Sequence, residues 1–316
     1  MSGSAIVTGG AGFIGSNLVD ALLERGDQVT VIDDLSTGKL ENLEHATARG
    51  AQLCVIDIRD AAPLAAVVEH ERPEAIFHLA AQIDVRRSLT DPAWDASINV
   101  QGTINVLEAA RVHGVARIVN SSTGGAIYGE AETIPSSEQT PPLPEAAYGQ
   151  SKLSAEGYLG LYERLYGQSS VTLRYGNVYG PRQDPLGEAG VIAIFSGLLE
   201  TGGQPTVYGD GLQTRDYVYV GDVVAANLAA LDADVHGEIN VGTSVETNVL
   251  ELIAILRELS GAERFEPQFA PARLGELPRS CLDITRARDT LGWAPSVAIR
   301  EGLGLTLDAN HVAHSQ

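Results

Sequence analysis

The chain has 316 residues, 44% hydrophobic and 20% charged, an ordinary balance for a globular protein of one large domain or two joined ones. A formal net charge of −20 excludes a general surface for DNA, RNA or anionic lipid, and leaves only a small anion gripped by local arginines and helix N-termini. The two cysteines, Cys54 and Cys281, form no C-x-x-C pair and the seven histidines show no ligand spacing, so no metal is expected.

The N-terminal stretch lacks the basic-then-apolar pattern of a signal peptide, and no apolar run reaches the ~18 residues needed to span a bilayer. The expected location is therefore the cytoplasm. In chain order, "SAIVTG" predicts a strand and residues 13–25, "FIGSNLVDALLER", an amphipathic helix. "DQVTVIDD" and "AQLCVID" predict two more strands, and "DAAPLAAVVEHER" a helix. "EAIFHLAA" follows as a strand, "DPAWDASINVQGTINVLEAARVHG" as one long helix, and "ARIVNSST" as another strand. Nearly continuous apolar strands alternating with helices imply an α/β fold, a doubly wound parallel sheet covered on both faces. Beyond about residue 175 the pattern loosens into Gly-, Pro- and Asp-rich loops with short helices such as "NVLELIAILRELSG". The expected division is residues 1–175 as a Rossmann domain and 176–316 mainly as a smaller α/β substrate lobe, with the chain crossing back between them.

Three glycines, Gly9, Gly12 and Gly15, lie between the first strand and the first helix. This G-x-x-G-x-x-G spacing lets the backbone turn tightly and approach a pyrophosphate at the helix N-terminus. A glycine-rich turn alone is a weak signal. Here a strand precedes it, a helix follows, and Asp33 ends the next strand, where a carboxylate can accept from ribose hydroxyls and repel a 2′-phosphate; NAD is favoured over NADP. Asp57 and Ile58 at the end of the third strand could hold an adenine edge. Leu79, Ala80 and Ala81 at the end of the fourth lie beside the expected pyrophosphate, and His78 there reads as structural.

Lys39 and Lys152 are the two lysines of the chain, and Lys152 follows Tyr148 by one helical turn, on the same face. A surface Tyr–Lys pair is common. A cation about 4 Å from a phenol, at an effective dielectric of ~20, contributes on the order of 4 kcal/mol. That would lower a tyrosine pKa from ~10 by up to about 3. A phenolate near neutrality can act as general base on a sugar hydroxyl. Ser121, Ser122 and Thr123, at the end of the strand "ARIVNSST", could bond the same oxygen.

In order, "TGGAGFIG", "DDLSTG", "HLAAQ", "SST…YG", "YGQSK", "RYGNVYGPRQ", "RDYVYVGDV" and "RLGE" resemble the extended short-chain dehydrogenase/reductase superfamily. More narrowly they resemble its NAD-dependent UDP-glucose 4-epimerases, over residues 4–307. The resemblance implies a tightly held NAD, a UDP-sugar clamped by the C-terminal lobe, and often a homodimer through the helix of Tyr148 and the helix near residues 93–113. It implies Tyr148 as the base at the sugar 4-hydroxyl, Lys152 on the nicotinamide ribose, and Thr123 sharing the bond to O4, with hydride leaving C4 and returning on the other face. Ser122 remains the alternative to Thr123, because "TGGAIYG" carries one glycine more than many members.

By the same resemblance the cofactor would touch Gly9, Gly12, Phe13, Ile14, Gly15, Asp33, Asp34, Thr37, Gly38, Asp57, Ile58, Leu79, Ala80, Ala81, Gln82, Asn99, Ser121 and Tyr175, besides Tyr148 and Lys152. The substrate would touch Arg86, Ser122, Thr123, Asn177 (diphosphate), Arg182, Val191, Tyr208 (stacked on uracil), and Arg215 and Arg273 (phosphates). The segment after Thr123 is Gly124–Gly125, without the acids that related dehydratases and decarboxylases carry there, so reversible oxidation without elimination is expected. Ser280 stands where some epimerases carry a tyrosine, which leaves room for an N-acetyl group. Arg86, Arg87, Ser88 and Arg182 are candidates for a uronate carboxylate. UDP-glucose/UDP-galactose is favoured, then UDP-N-acetylhexosamine, then UDP-glucuronate. A non-catalytic NAD sensor is the reading from another class, disfavoured because tyrosine and lysine are both present; a hydrolase lacks its G-x-S-x-G elbow.

Overall fold

Strand β1 (Ser4–Thr8) sends Ala5 and Val7 to one face and Ile6 to the other, all at least 95% buried. This period-2 alternation with apolar residues on both sides needs a covering layer on each face. The computed structural model describes residues 3–185, 190–273 and 277–313. After β1 come α1 (Phe13–Arg25), β2 (Gln28–Asp33), α2 (Glu44–Ala48), β3 (Gln52–Val55), α3 (Ala61–Glu71) and β4 (Ala75–His78). Then follow α4 (Val85–Thr90), α5 (Pro92–Ala96), a π-helical segment (Ser97–Gly102), α6 (Thr103–His113), β5 (Arg117–Thr123), α7 (Gly124–Ile127), α8 (Ala147–Tyr166) and β6 (Ser170–Tyr175). The second half holds β7 (Asn177–Tyr179), α9 (Val191–Thr201), β8 (Thr206–Tyr208), β9 (Thr214–Tyr219), α10 (Val220–Asp232), β10 (Gly237–Val241) and β11 (Glu246–Asn248). It ends with α11 (Val249–Ser260), β12 (Gln268–Ala270), β13 (Arg279–Ser280), α12 (Thr285–Leu291) and α13 (Ile299–Ala313).

Seven strands form one parallel sheet in the order β10-β6-β5-β4-β1-β2-β3. On one face Leu18, Val19 and Leu22 of α1 and Val223, Val224 and Ala226 of α10 pack on Val7, Val31, Phe77 and Val119. On the other, Leu64 and Val68 of α3, Val106 and Leu107 of α6, and Leu159 of α8 pack on Ile6, Ile32, Ile76 and Ile118. The strand order reverses between β1 and β4, and the crevice expected beyond their carboxyl ends is the usual ligand position of such sheets. β10 comes from beyond residue 236, so the chain leaves the sheet after β6 and returns to complete its edge.

The smaller lobe has its own core of Tyr179, Ile192, Phe195, Val207, Tyr217, Leu252, Leu256 and Leu303. There β9 pairs with β7, β11 and β13, and β12 pairs with β8.

Two expectations of strand ends need correction. Asp57 and Ile58, and Leu79 to Ala81, lie beyond the last residues of β3 and β4: the chain turns at Ile58–Arg59, with Asp60 N donating to Asp57 O, and the fourth strand stops at His78. The helix expected over residues 91–114 runs without a gap from Pro92 to His113, with a π-helical turn at Ser97–Gly102 in its middle, where Asn99 reaches back to Gln82.

Candidate active site

The loop between β1 and α1 is glycine-built for steric reasons. Gly9 has φ +70°, and a Cβ there would lie 2.6 Å from the backbone N of Ala80. A Cβ on Gly15 would lie 2.1 Å from the Gly9 carbonyl oxygen. Gly12 caps α1 with no side chain, and Phe13 and Ile14 begin the helix, so its N-terminal N–H groups and positive dipole end face the crevice with no acid in the first turn. These features fit a pyrophosphate.

Asp33 ends β2 with one carboxylate oxygen accepting from Ala11 N at 2.9 Å and the other from Leu35 N at 2.9 Å. Burial pushes its pKa up, while those two N–H groups pull it down. Each oxygen keeps a lone pair for a ribose hydroxyl. A Cβ on Gly38 would come 2.7 Å from Asp33 Oδ1, so glycine is what lets that turn close on the carboxylate. Asp34 instead caps its own turn, accepting from the Ser36 N and hydroxyl, and Thr37 lies between that turn and Gly38. Asp57 is held by Arg59, whose guanidinium is 2.5 Å away and keeps the carboxyl below its usual range. Ile58 is buried under Gly102.

Beyond β4, Leu79 N donates to Thr8 O, Ala80 N to Thr8 Oγ1, and Gln82 exchanges two bonds with the Asn99 amide. Asn99 is thus a buried brace that shapes residues 79–82, with Ala81 among them, rather than a side chain open to the crevice. His78 is buried between two threonines. Thr103 Oγ1 donates to Asn99 O, so it accepts from His78 Nε2 at 3.0 Å, and His78 Nδ1 then accepts from Thr8 Oγ1 at 2.8 Å. Burial, with Lys152 nearby, drops the imidazole pKa to about 3 and keeps it neutral.

Helix α8 begins at Ala147 without a side-chain cap of its own; Ser88 Oγ accepts from Tyr148 N at 3.1 Å instead. Ser88 is fully buried in this capping role, which corrects its reading as a carboxylate-binding residue. Tyr148, Lys152 and Glu156 then follow at helical spacing along one face. Tyr148 is hydrogen-bonded to the Thr123 side chain. Lys152, 6% exposed, donates from Nζ to Ser121 O at 3.0 Å. Glu156 accepts from Ser122 Oγ at 2.6 Å and pairs with Arg174 at 2.5 Å.

The structure therefore separates two alternatives that the sequence left open. Ser122 turns its hydroxyl to a buried carboxylate, and Thr123 is the residue beside the phenol. Ser121 donates to His78 O. Tyr128 and Asn240 extend the polar chain behind the site: Arg174 donates to Tyr128 Oη, and that hydroxyl to Asn240 Oδ1 at 2.7 Å.

Tyr148 does not have the low pKa expected from its spacing to Lys152. Burial and the Asp95 carboxylate push the phenol up to about 12, against the Thr123 bond that pulls it down. Burial also lowers Lys152, to about 8, against the two carboxylates Glu156 and Asp95.

On the lobe side, Asn177 Oδ1 and Thr123 Oγ1 each lie within 4 Å of where a Cβ on Gly125 would stand. The Arg273 guanidinium lies 3.8 Å over the Tyr208 ring, so these two candidates meet directly. The rest of the "RLGE" motif, residues 274–276, lies outside the described residues. Arg215 on β9 is paired in register with Ser280 and donates to Thr214 O. Val191 opens α9.

Arg182 is ion-paired to Asp20 of α1 at 2.6 Å, and Arg87 is stacked 3.4 Å over Trp94, so neither stands ready for a uronate carboxylate. Arg86 is exposed on α4. Tyr175 Oη is hydrogen-bonded to Asn227 and buried, which makes it a brace under the crevice. Sequence reasoning missed Glu156, Asp95, Arg174 and Tyr128. Glu156 was detectable, since it repeats the four-residue step from Tyr148 to Lys152.

The sequence profile of the NAD dependent epimerase/dehydratase family matches residues 5–242. The chain belongs to this family. Among its epimerase/dehydratase relatives, the UDP-glucose 4-epimerase of Mycolicibacterium smegmatis is 48% identical over 96% of this chain and 97% of its own. The UDP-glucose 4-epimerase of Thermotoga maritima, solved with UDP-glucose, superimposes with a TM-score of 0.95 at 45% identity, covering 98% of this chain and 99% of the other. That of Thermus thermophilus, solved with NAD, gives 0.91 at 43% identity over 98% and 99%. As an epimerase/dehydratase, the chain has no helix among its described residues long and apolar enough to cross a membrane.

Proposed function

We propose that this protein is an NAD-dependent 4-epimerase interconverting UDP-glucose and UDP-galactose. The observation that carries the reading is the Thr123–Tyr148 hydrogen bond with Lys152 one turn further on, in a chain alike over nearly its whole length to UDP-glucose 4-epimerases. Gly9, Gly12, Gly15 and Asp33 would hold the dinucleotide, and Lys152 would meet its nicotinamide ribose. When bound, NAD supplies a reversible acceptor for the C4 hydrogen with its electron pair and, oxidised, a positive charge.

Tyr148 Oη takes the proton of the sugar 4-hydroxyl and returns it, and the Thr123 hydroxyl holds O4 in line with Oη. Lys152, kept positive, favours the phenolate while the proton is on its way. Gly124 and Gly125 offer no acid for an elimination, so a 4-keto sugar can only turn over and be returned at its other face. Asn177, Arg215, Arg273 and Tyr208 would grip the UDP. A second reading, a UDP-N-acetylhexosamine substrate, is favoured by the small Ser280 next to Arg215.

A homodimer joined through α6 and α8 accounts for Val112, Leu165 and Tyr166, which are 60%, 61% and 53% exposed. The function is tested by proton NMR of the purified protein with UDP-galactose and no added NAD. UDP-glucose should appear and settle at a fixed ratio; no conversion even with NAD supplied would overturn the reading.

A further inference from the structure

Asp95 of α5 is completely buried, yet only half of its carboxylate is satisfied. Oδ1 accepts from Gln82 Nε2 at 2.7 Å and from Asn99 Nδ2 at 3.1 Å, while Oδ2 has no hydrogen-bond partner. Among the described residues it forms no ion pair. A buried charge in this condition is costly unless a cation nearby compensates it.

The helix α5 packs against α8, and the groups on which Asp95 acts there are Tyr148 and Lys152. The other charges around the pair are accounted for. Glu156 on α8 also acts on Lys152, but Arg174 of β6 neutralises it at 2.5 Å. His78 of β4 is held neutral between two threonines. The π segment and the end of β5 carry no charged side chain. On α4, Arg87 is stacked on Trp94, and Arg86 is exposed. Asp95 is left as the one carboxylate near the pair with no cation bonded to it among the described residues.

We propose that Asp95 is the counter-charge of the Tyr148–Lys152 pair, a positioning residue that keeps the Lys152 ammonium charged and the Tyr148 phenol protonated until cofactor and sugar arrive. The proposal rests on the epimerase reading only for what the pair does afterwards. The braces on Oδ1 fix the carboxylate, and both come from the π turn and the segment after β4. The same backbone that shapes the dinucleotide crevice therefore sets the charge of the catalytic pair.

The chain's two lysines make a direct test possible. Lysine labelled with ¹³C at Cε gives one resonance from Lys152 and one from Lys39, which is half-exposed beside Asp184 at 3.3 Å. The purified protein is titrated with whatever cofactor it retains and without substrate. Lys152 should titrate near 8 in the native chain and lower by about one pH unit in Asp95→Asn. Lys39 should not move. Asparagine can still accept from Gln82 and Asn99, so the braces survive. The acidic limb of the pH–rate profile with UDP-galactose should move down as well, since the phenol loses a neighbouring negative charge.

A merely structural Asp95 would lower the folded fraction and leave the Lys152 midpoint where it is, which would overturn the proposal. Should the asparagine variant not fold, Asp95→Ala is read in the same way. A shifted Lys152 midpoint in a protein that epimerises no UDP-sugar would sustain the counter-charge while removing the epimerase reading.

Discussion

Tyr148 waits as a protonated phenol, and the reason is burial acting against a single hydrogen bond from Thr123. Removing its hydroxyl with Tyr148→Phe should cut kcat by roughly 10²–10⁴, the range of general acid–base catalysis, with KM and thermal midpoint nearly unchanged. Steady-state assays and calorimetry on the same preparation check both. His78 offers a stability test of the same local chemistry. Its folded pKa is about 3 against a reference of 6.5, so below 6.5 the unfolded chain binds a proton that the folded chain refuses. Stability therefore falls as pH drops through that window, by about 1.4 kcal/mol per pH unit. Urea titrations at pH 7 and 5 should show a loss about 2 kcal/mol larger for the native chain than for His78→Gln. Tyr148, Lys152 and Thr123 were legible because their spacing and strand-end position are local. The direction of the tyrosine pKa was not, since Asp95 reaches it from a helix some fifty residues earlier in the chain.

Elements carry the next level of constraint. The loop from Gly9 to Gly15 is tight enough that Gly15→Ala would push a methyl group to 2.1 Å from a carbonyl oxygen. The loop must then open, and NAD affinity should fall by more than about tenfold while the rest of the sheet keeps its far-UV circular dichroism. Titration of the cofactor-stripped variant with NAD, followed by fluorescence, measures it. Helix α1 was read to its residue, because an αL Gly26 stops it and a glycine turn starts it. Strands β3 and β4 stop short of their expected ends: apolar residues such as Ile56, Ile58, Leu79 and Ala80 continue past the last paired residue, and sequence carries no mark of where a partner ends. The π turn inside the long helix escaped as well, because what accompanies it is a contact at long range, the Asn99–Gln82 exchange, which local sequence does not announce.

At the scale of the molecule, the largest core joins both halves of the chain. Trp293 and Ile284 pack in the same cluster as Val7 and Phe77, and Trp293 Nε1 donates to Asp222 O at 3.0 Å. The two halves should therefore unfold together. In Trp94→Phe, Trp293 is the remaining tryptophan, and its fluorescence midpoint in urea should coincide with that of far-UV circular dichroism. Two separated midpoints would mean that the lobes melt independently. The alternation of strands and helices made the parallel sheet legible; the shared core was less so, since only long-range packing joins residues 284–293 to β1. The late arrival of β10 has one more consequence, for a chain still being made. When Tyr175 has left the ribosome, six of the seven strands exist and β6 has an open edge of N–H and C=O groups. Gly237 follows about sixty residues later, roughly 3–12 s at ordinary rates of synthesis. During those seconds the edge of β6 is open to any other extended peptide near the nascent chain.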